Sequence, residues 1–126
     1  YVSTTCPKIN VIVRKAYGSA YATMGCGSDM VFAWPTAEIG MMAPDAMATI
    51  LYEDEIKQAE DPQAKRAELA DYYQNVVAAP YEAAKRGYVD DVIEPATTRP
   101  QIISALLMLQ TKRVGAPAKK HTTMPL

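Results

Sequence analysis

The residues best placed to do chemistry are Gly18, Ser19 and Ala20, where an apolar run over residues 9–13 gives way to a small-residue segment. Such a run, a tight turn and a helix start leave backbone N–H groups unpaired and aimed at one point. The positive end of the helix adds to their field. The chemistry suited to this turn is stabilisation of a developing negative charge. Tyr17 before the turn and Tyr21 and Ala22 behind it flank this corner, and both tyrosines also fit amphipathic core filling.

Other reactive side chains have plainer readings. His121, the lone histidine, lies in a polar tail between Lys120 and Thr122 and reads as solvated. Asp90-Asp91 sits in an alternating segment ending at Glu94-Pro95 and reads as a fold-closing pair. Glu38, near Trp34-Pro35, reads as an ion-pair or capping group. Cys6 and Cys26 form no metal-ligand spacing and read as free thiols in a reducing compartment, and no metal site is expected. Met24, Met30, Met41, Met42 and Met47 read as adaptable core, with some able to line a pocket.

Composition sets the limits. A length of 126 residues allows one domain or part of one, and 49% apolar residues suffice for a packed core. The net charge of -1 supplies no global field for nucleic acid or an anionic membrane surface. Apolar runs are too short to span a bilayer. The chain opens at Tyr1 without methionine or leader and reads as a piece of a longer polypeptide.

The elements that must position the turn follow from pattern. Residues 8–14, rich in β-branched side chains, predict a buried parallel strand, and residues 19–24 a helix. Gly25 to Asp29 reads as a loop. Strands are expected over residues 30–34, stopped by Pro35, and over 37–42. Pro44 with Asp45 opens a helix to about residue 52, and Asp61-Pro62 caps a long one over 63–77. Leu69, Tyr72, Tyr73 and Val76 fall on one side of that helix. Pro80 begins a short helix closed by Gly87. Residues 88–93 alternate like an edge strand. Thr98 and Gln101 fit a capping box, followed by an apolar stripe of Ile102, Ile103, Leu106, Leu107 and Leu109. Residues 114–126 read as an extended tail. The charged run over 53–68 reads as a solvated helix face, and no internal repeat is visible. Short strands alternating with helices give an α/β class with right-handed crossovers and an incomplete sheet.

Three motifs occur in order: Lys15-Ala16-Tyr17-Gly18-Ser19-Ala20-Tyr21, Phe32-Ala33-Trp34-Pro35-Thr36-Ala37-Glu38-Ile39, and Arg86-Gly87-Tyr88-Val89-Asp90-Asp91-Val92-Ile93-Glu94-Pro95. Together they closely resemble the carboxyltransferase subunits of biotin-dependent acyl-CoA carboxylases and decarboxylases. The resemblance implies a crotonase-like (ClpP/crotonase) spiral of ββα units, with this chain the C-terminal part of the second carboxyltransferase domain. It implies transfer between carboxybiotin and a short-chain acyl-CoA such as propionyl-CoA or methylmalonyl-CoA, run in either direction. Biotin would be carried on a partner domain or subunit, the biotin carboxyl carrier protein. The enzyme would be a cytoplasmic homo-oligomer (mitochondrial matrix in a eukaryote), with active sites at subunit interfaces, so this piece alone would be inactive.

Carried over residue by residue, the biotin-side oxyanion hole falls on the Ser19 and Ala20 N–H groups of the Gly18-Ser19-Ala20 turn. Where Ser19 stands the family usually has glycine, which keeps the N–H but changes the accessible backbone. The position of Ala22 helps choose the acyl chain. An Asp is common there in propionyl-CoA carboxylases, and an apolar residue in the decarboxylases. Between Tyr21 and Phe32 the chain is about three residues shorter than the family pattern. Two other readings stay open: a hydratase or isomerase on the same fold, and a non-catalytic assembly subunit.

Overall fold

The structure, a computed structural model, describes residue 1 and residues 4–25 and 27–115. Cys26 and the tail from residue 116 onward, His121 included, lie outside the described residues. Two ββα units follow one another. The first is β1 (Ile9–Ile12), β2 (Lys15–Tyr17) and α1 (Gly18–Gly25); the second is β3 (Met30–Ala33), β4 (Glu38–Gly40) and α2 (Pro44–Leu51). β1 lies parallel to β3, with Ile9 opposite Met30 and Ile12 opposite Ala33. β2 lies parallel to β4, with Lys15 opposite Glu38 and Tyr17 opposite Gly40. Each strand therefore pairs with its counterpart in the next unit, and the chain advances as a spiral. The units match in layout but not in residues, so no sequence repeat announces them. β5 (Asp91–Val92) extends the first sheet in the order β1-β3-β5, parallel to β3.

The parallel strand expected over residues 8–14 is β1, which ends at Ile12; β2, from Lys15 in the other sheet, was not foreseen. The Ile12 carbonyl accepts from the Trp34 N–H at 2.9 Å, and the Arg14 carbonyl accepts from the Glu38 N–H at 2.7 Å. The backbone leaves one sheet and enters the other within two residues. Val13 belongs by type to a strand interior, yet it is 46% exposed at this corner.

β3 divides the core with the two-residue period of a strand. Phe32, 2% exposed, packs with Ile93 and Ala105 on one face. Ala33 packs with Ile12, Ala16, Ala37, Ala83 and Val89 on the other. A third cluster of Ala48, Leu69 and Ala70 joins α2 to α4 (Pro62–Tyr72), with Ile56 of α3 (Glu53–Gln58) at its edge.

The helix starts follow the expected chemistry. Pro44 and Pro80 open α2 and α5 (Pro80–Lys85), and Gly87 at φ +79° ends the latter. The Asp61 carboxylate accepts from the N–H groups of Gln63 at 3.0 Å and Ala64 at 3.1 Å, capping α4.

The long helix expected over 63–77 is corrected: α4 stops at Tyr72, and Tyr73–Val77 is a π-helical turn. A π turn widens the helix and breaks its 3.6-residue face. Leu69 and Tyr73 are buried, while Tyr72 and Val76, expected beside them, are 50% and 46% exposed.

The capping box at α6 (Thr98–Met108) is also corrected. A 3-10 turn (Pro95–Thr97) precedes the helix, and Thr98 already has helical angles, φ −55° and ψ −47°. Its hydroxyl accepts from the Trp34 indole N–H at 2.9 Å, satisfying a donor that enters the core. The apolar stripe of α6 is largely uncovered. Ala105 is buried and Ile102 and Leu109 are half-buried, but Ile103, Leu106 and Leu107 are exposed. No other layer covers that face among the described residues.

Asp90 closes the sheet edge as its pairing with Asp91 suggests. Its carboxylate accepts from the Val31 N–H at 2.7 Å, and its own N–H donates to the Val31 carbonyl at 2.9 Å. Cys6 is a free, exposed thiol. No helix of the described residues is long and apolar enough to cross a membrane.

One ion pair ties the two ends of the described chain together. The Asp29 carboxylate accepts from the Lys8 N–H at 2.7 Å and the Lys112 ammonium at 2.8 Å, and Lys112 also donates to the Cys6 carbonyl at 3.2 Å. Lys112, then the Lys8 N–H, hold the Asp29 carboxyl below the usual carboxylate range. A depressed folded pKa stabilises the fold above the ordinary value, and that stabilisation is lost as pH falls through the folded one. Asp29→Asn should cost about 1–2 kcal/mol at neutral pH. The gap from the parent should close on acidification below about pH 4, read by thermal unfolding across pH. A gap independent of pH would show that the charge of Asp29 contributes nothing.

Candidate functional site

The site is built where β2 ends. Gly18 takes φ +60°, a left-handed angle that favours glycine. A Cβ at this position would lie 3.1 Å from the Met41 carbonyl oxygen, just beyond the end of β4. Conformation favours glycine, and the close approach would force the Met41 carbonyl to shift for any larger residue. α1 begins at Gly18 itself, so strand passes into helix without a linker. Positive φ falls on Gly18; Ser19, like every other non-glycine among the described residues, stays in the ordinary region. Serine where the resemblance has glycine is therefore unstrained.

The N–H groups of Ser19 and Ala20 lie in the first turn of α1 and have no carbonyl four residues back to bond. Among the described residues, no other backbone carbonyl or side chain accepts from them. Both residues are exposed, and the first turn holds no acidic residue. The arrangement presents two adjacent donors and the positive end of a helix to whatever approaches.

The other expected residues have different surroundings. The Tyr17 hydroxyl donates to one carboxylate oxygen of Glu38, and the Gln74 side-chain amide donates to the other at 3.1 Å. Burial first, then the hydrogen bond to Glu38 and its charge, push the Tyr17 phenol far above its ordinary range. It is a neutral donor at working pH. Tyr21 is half-buried and packs against the core cluster around Ile12 and Ala16. Burial, with Tyr88 nearby, pushes its phenol up as well. Ala22 is exposed. The fold brings Tyr17, Gly18, Ser19 and Ala20 to one corner, turns Tyr21 inward and leaves Ala22 on the surface.

Glu38 pairs with no cation among the described residues and bonds two neutral donors instead, which corrects the ion-pair or capping role expected of it. Sequence reasoning missed Tyr73, Gln74 and the Met41 carbonyl. Gly40 was the available signal, since glycine inside a strand marks a close approach. A Cβ there would lie 3.1 Å from the Tyr73 hydroxyl oxygen.

Met30 packs against the Phe32 cluster as expected, but Met24, Met41 and Met42 depart from a core role. Met41 is 78% exposed and Met42 44%, giving the corner an apolar rim. Met24, 54% exposed, lines a pocket of about 300 Å³ with Tyr1, Cys6, Lys8 and Asn10. That pocket lies at the C-terminal end of α1, roughly 9 Å along the helix from Gly18. No group of three His, Cys, Asp or Glu side chains among the described residues could hold a metal ion.

Residues 1–124 match the carboxyl transferase domain family. The chain belongs to that family. It is 50% identical, over its whole length, to the carboxyltransferase subunit of propionyl-CoA carboxylase from Haloferax mediterranei, of which it covers 25%. It is 52% identical to the methylmalonyl-CoA carboxyltransferase 12S subunit of Propionibacterium freudenreichii subsp. shermanii, with 99% of this chain and 24% of that protein covered. A crystal structure of transcarboxylase 12S, a hexamer with methylmalonyl-coenzyme A and methylmalonic acid bound, superposes with a TM-score of 0.86 at 52% identity. It covers 100% of this chain and 25% of its own. The spiral of ββα units is thus the crotonase-like α/β fold. The chain spans about a quarter of the length of the relatives it matches.

Gly18→Ala should lose about 1–2 kcal/mol for the left-handed angle alone, and more because the Met41 carbonyl must move. Gly87→Ala is the control, since its φ is also positive but nothing lies within 4 Å of the added Cβ. Chemical denaturation should show the larger loss at Gly18. Equal losses would mean that the Met41 approach imposes no constraint.

Proposed function

We propose that this chain is the biotin-facing part of a carboxyltransferase that moves a carboxyl group between carboxybiotin and a short-chain acyl-CoA, propionyl-CoA or methylmalonyl-CoA. The observation that carries the reading is the pair of N–H groups on exposed Ser19 and Ala20, unbonded among the described residues, at the positive end of α1. Two adjacent donors fit one oxygen that becomes anionic. Their exposure suits a group delivered by a separate carrier, and the apolar rim of Met41 and Met42 suits its hydrocarbon framework.

When bound, biotin supplies the carboxyl group and the ureido nitrogen that exchanges a proton with the acyl α-carbon. The chain's own part is to stabilise charge. Ser19 and Ala20 donate to the ureido oxygen as it becomes negative, and Gly18 fixes the angle at which they do so. Neutral Tyr17 places no competing negative charge at the turn. The residues of the reading are therefore Gly18, Ser19 and Ala20 for charge stabilisation, with Tyr17, Tyr21 and Ala22 around them.

In this reading the chain is the C-terminal part of the second carboxyltransferase domain, with residues 114–126 as its tail. The thioester is held by the first domain of another subunit, so the 126 residues alone carry no transfer activity. The assembly is a cytoplasmic homo-oligomer served by a biotin carboxyl carrier protein. The reverse, decarboxylating direction is a second reading, favoured by the small, uncharged, exposed Ala22. A hydratase or isomerase is disfavoured: no carboxylate lies in the first turn of α1, and Glu38 is engaged by Tyr17 and Gln74.

Ser19→Pro in the full-length protein tests the reading, because proline deletes one donor at a position where the first helical turn tolerates it. Transfer from free carboxybiotin to propionyl-CoA should fall roughly 100-fold to 1000-fold, the equivalent of ~3 kcal/mol of barrier. A correctly folded variant with an unchanged rate would favour a subunit that only supports assembly.

A further inference from the structure

We propose that Tyr17, Glu38 and Gln74 are positioning residues that set the aim of the Ser19 and Ala20 N–H groups. The inference rests on the carboxyltransferase reading. Tyr17 is the last residue of β2 and is bonded directly to Gly18, so any rotation of its backbone swings the start of α1. Glu38 opens β4, and three residues later the Met41 carbonyl abuts Gly18. A side-chain bond from Tyr17 to Glu38 therefore joins the two strands just behind the point where they hold the turn.

The second oxygen of Glu38 is taken by Gln74, from the π-helical turn Tyr73–Val77. That turn grips β4 at three successive residues. Gln74 bonds the Glu38 carboxylate, and the Ala78 carbonyl at its end accepts from the Ile39 N–H at 2.8 Å. The Tyr73 hydroxyl lies 3.1 Å from where a side chain on Gly40 would begin. A π turn is a poor way to extend a helix and is frequent at functional sites. Here it presents Tyr73 and Gln74, one after the other, to the strand that holds the turn.

A carboxylate retained for fold stability alone commonly faces a cation. Glu38 is half-buried and faces two neutral donors. Directional bonds of this kind fix position rather than add charge attraction. With its phenol pushed far up by burial and by Glu38, Tyr17 keeps its proton across the working pH range and so remains a donor.

The test uses the full-length enzyme with free carboxybiotin and propionyl-CoA, and two readouts. Tyr17→Phe and Glu38→Ala should lower kcat about tenfold to 100-fold, as expected for misaimed groups. KM for propionyl-CoA should stay within about twofold, because the thioester is held by the first domain of another subunit. Glu38→Gln, which keeps an oxygen to accept from Tyr17, should recover most of the rate. Gln74→Ala, on an exposed face, removes one bond without touching the core.

Amide hydrogen exchange is the second readout. In Tyr17→Phe, Glu38→Ala and Gln74→Ala, the peptide spanning β2 and α1 should exchange about tenfold faster while peptides over α4 and α6 are unchanged. Parent-like kcat and exchange in Tyr17→Phe and Gln74→Ala would overturn the proposal, as would faster exchange spread over the whole chain. Ser19→Pro separates the two levels. If it loses activity while Tyr17→Phe and Glu38→Ala keep theirs, the positioning role fails and the carboxyltransferase reading stands. If Ser19→Pro keeps its rate, the reading itself fails.

Discussion

The Met41 carbonyl lies 3.1 Å from where a side chain on residue 18 would begin, and the site is arranged around that approach. It disfavours any side chain, and glycine supplies the left-handed angle that lets β2 pass straight into α1. The first N–H groups of the helix then emerge at the end of a strand that is itself paired, residue for residue, with β4. Loosening that pairing would move both walls of the corner. The brace behind it, from Tyr17 through Glu38 to the π turn, lies where such movement would begin.

Most helices of the chain differ from α1 in their electrostatics, though α6 also lacks a side-chain cap and an acidic first turn. α2, α3 and α5 place Asp45, Glu53 and Glu82 in their first turns, and α4 is capped by Asp61. Each of those positive ends is answered from within the chain. α1 has no acidic residue in its first turn, and among the described residues no side chain accepts from Ser19 or Ala20, so these donors stay available. The fold tolerates this because Ser19 and Ala20 are exposed and water can serve them. The uncovered face of α6 and the apolar rim at Met41 and Met42 show two further surfaces that these residues do not close by themselves.

Much of this was legible in the sequence, for identifiable reasons. Pro44, Asp61-Pro62, Pro80 and Gly87 announced helix ends because proline and glycine restrict the backbone whatever surrounds them. The turn at Gly18 was legible because a strand-like run met a helix-like one there. The corner at residues 13 and 14 was not, since Val13 has the side chain of a strand interior and only tertiary packing exposes it. The π turn was hidden because it is set by the grip on β4 and not by residue type. Thr98 misled as a cap because its hydroxyl serves the Trp34 indole, 64 residues away in sequence. The role of Glu38 depended on partners from β2 and the π turn, which only the fold brings together.

The most direct test of the central claim is a crystal structure of the full-length protein with biotin bound, resolving the backbone at Ser19 and Ala20. The account predicts both amide nitrogens about 2.7–3.1 Å from the ureido oxygen, with Gly18 still left-handed. Biotin seated elsewhere, with those two amides facing water or bonded to protein carbonyls, would contradict it.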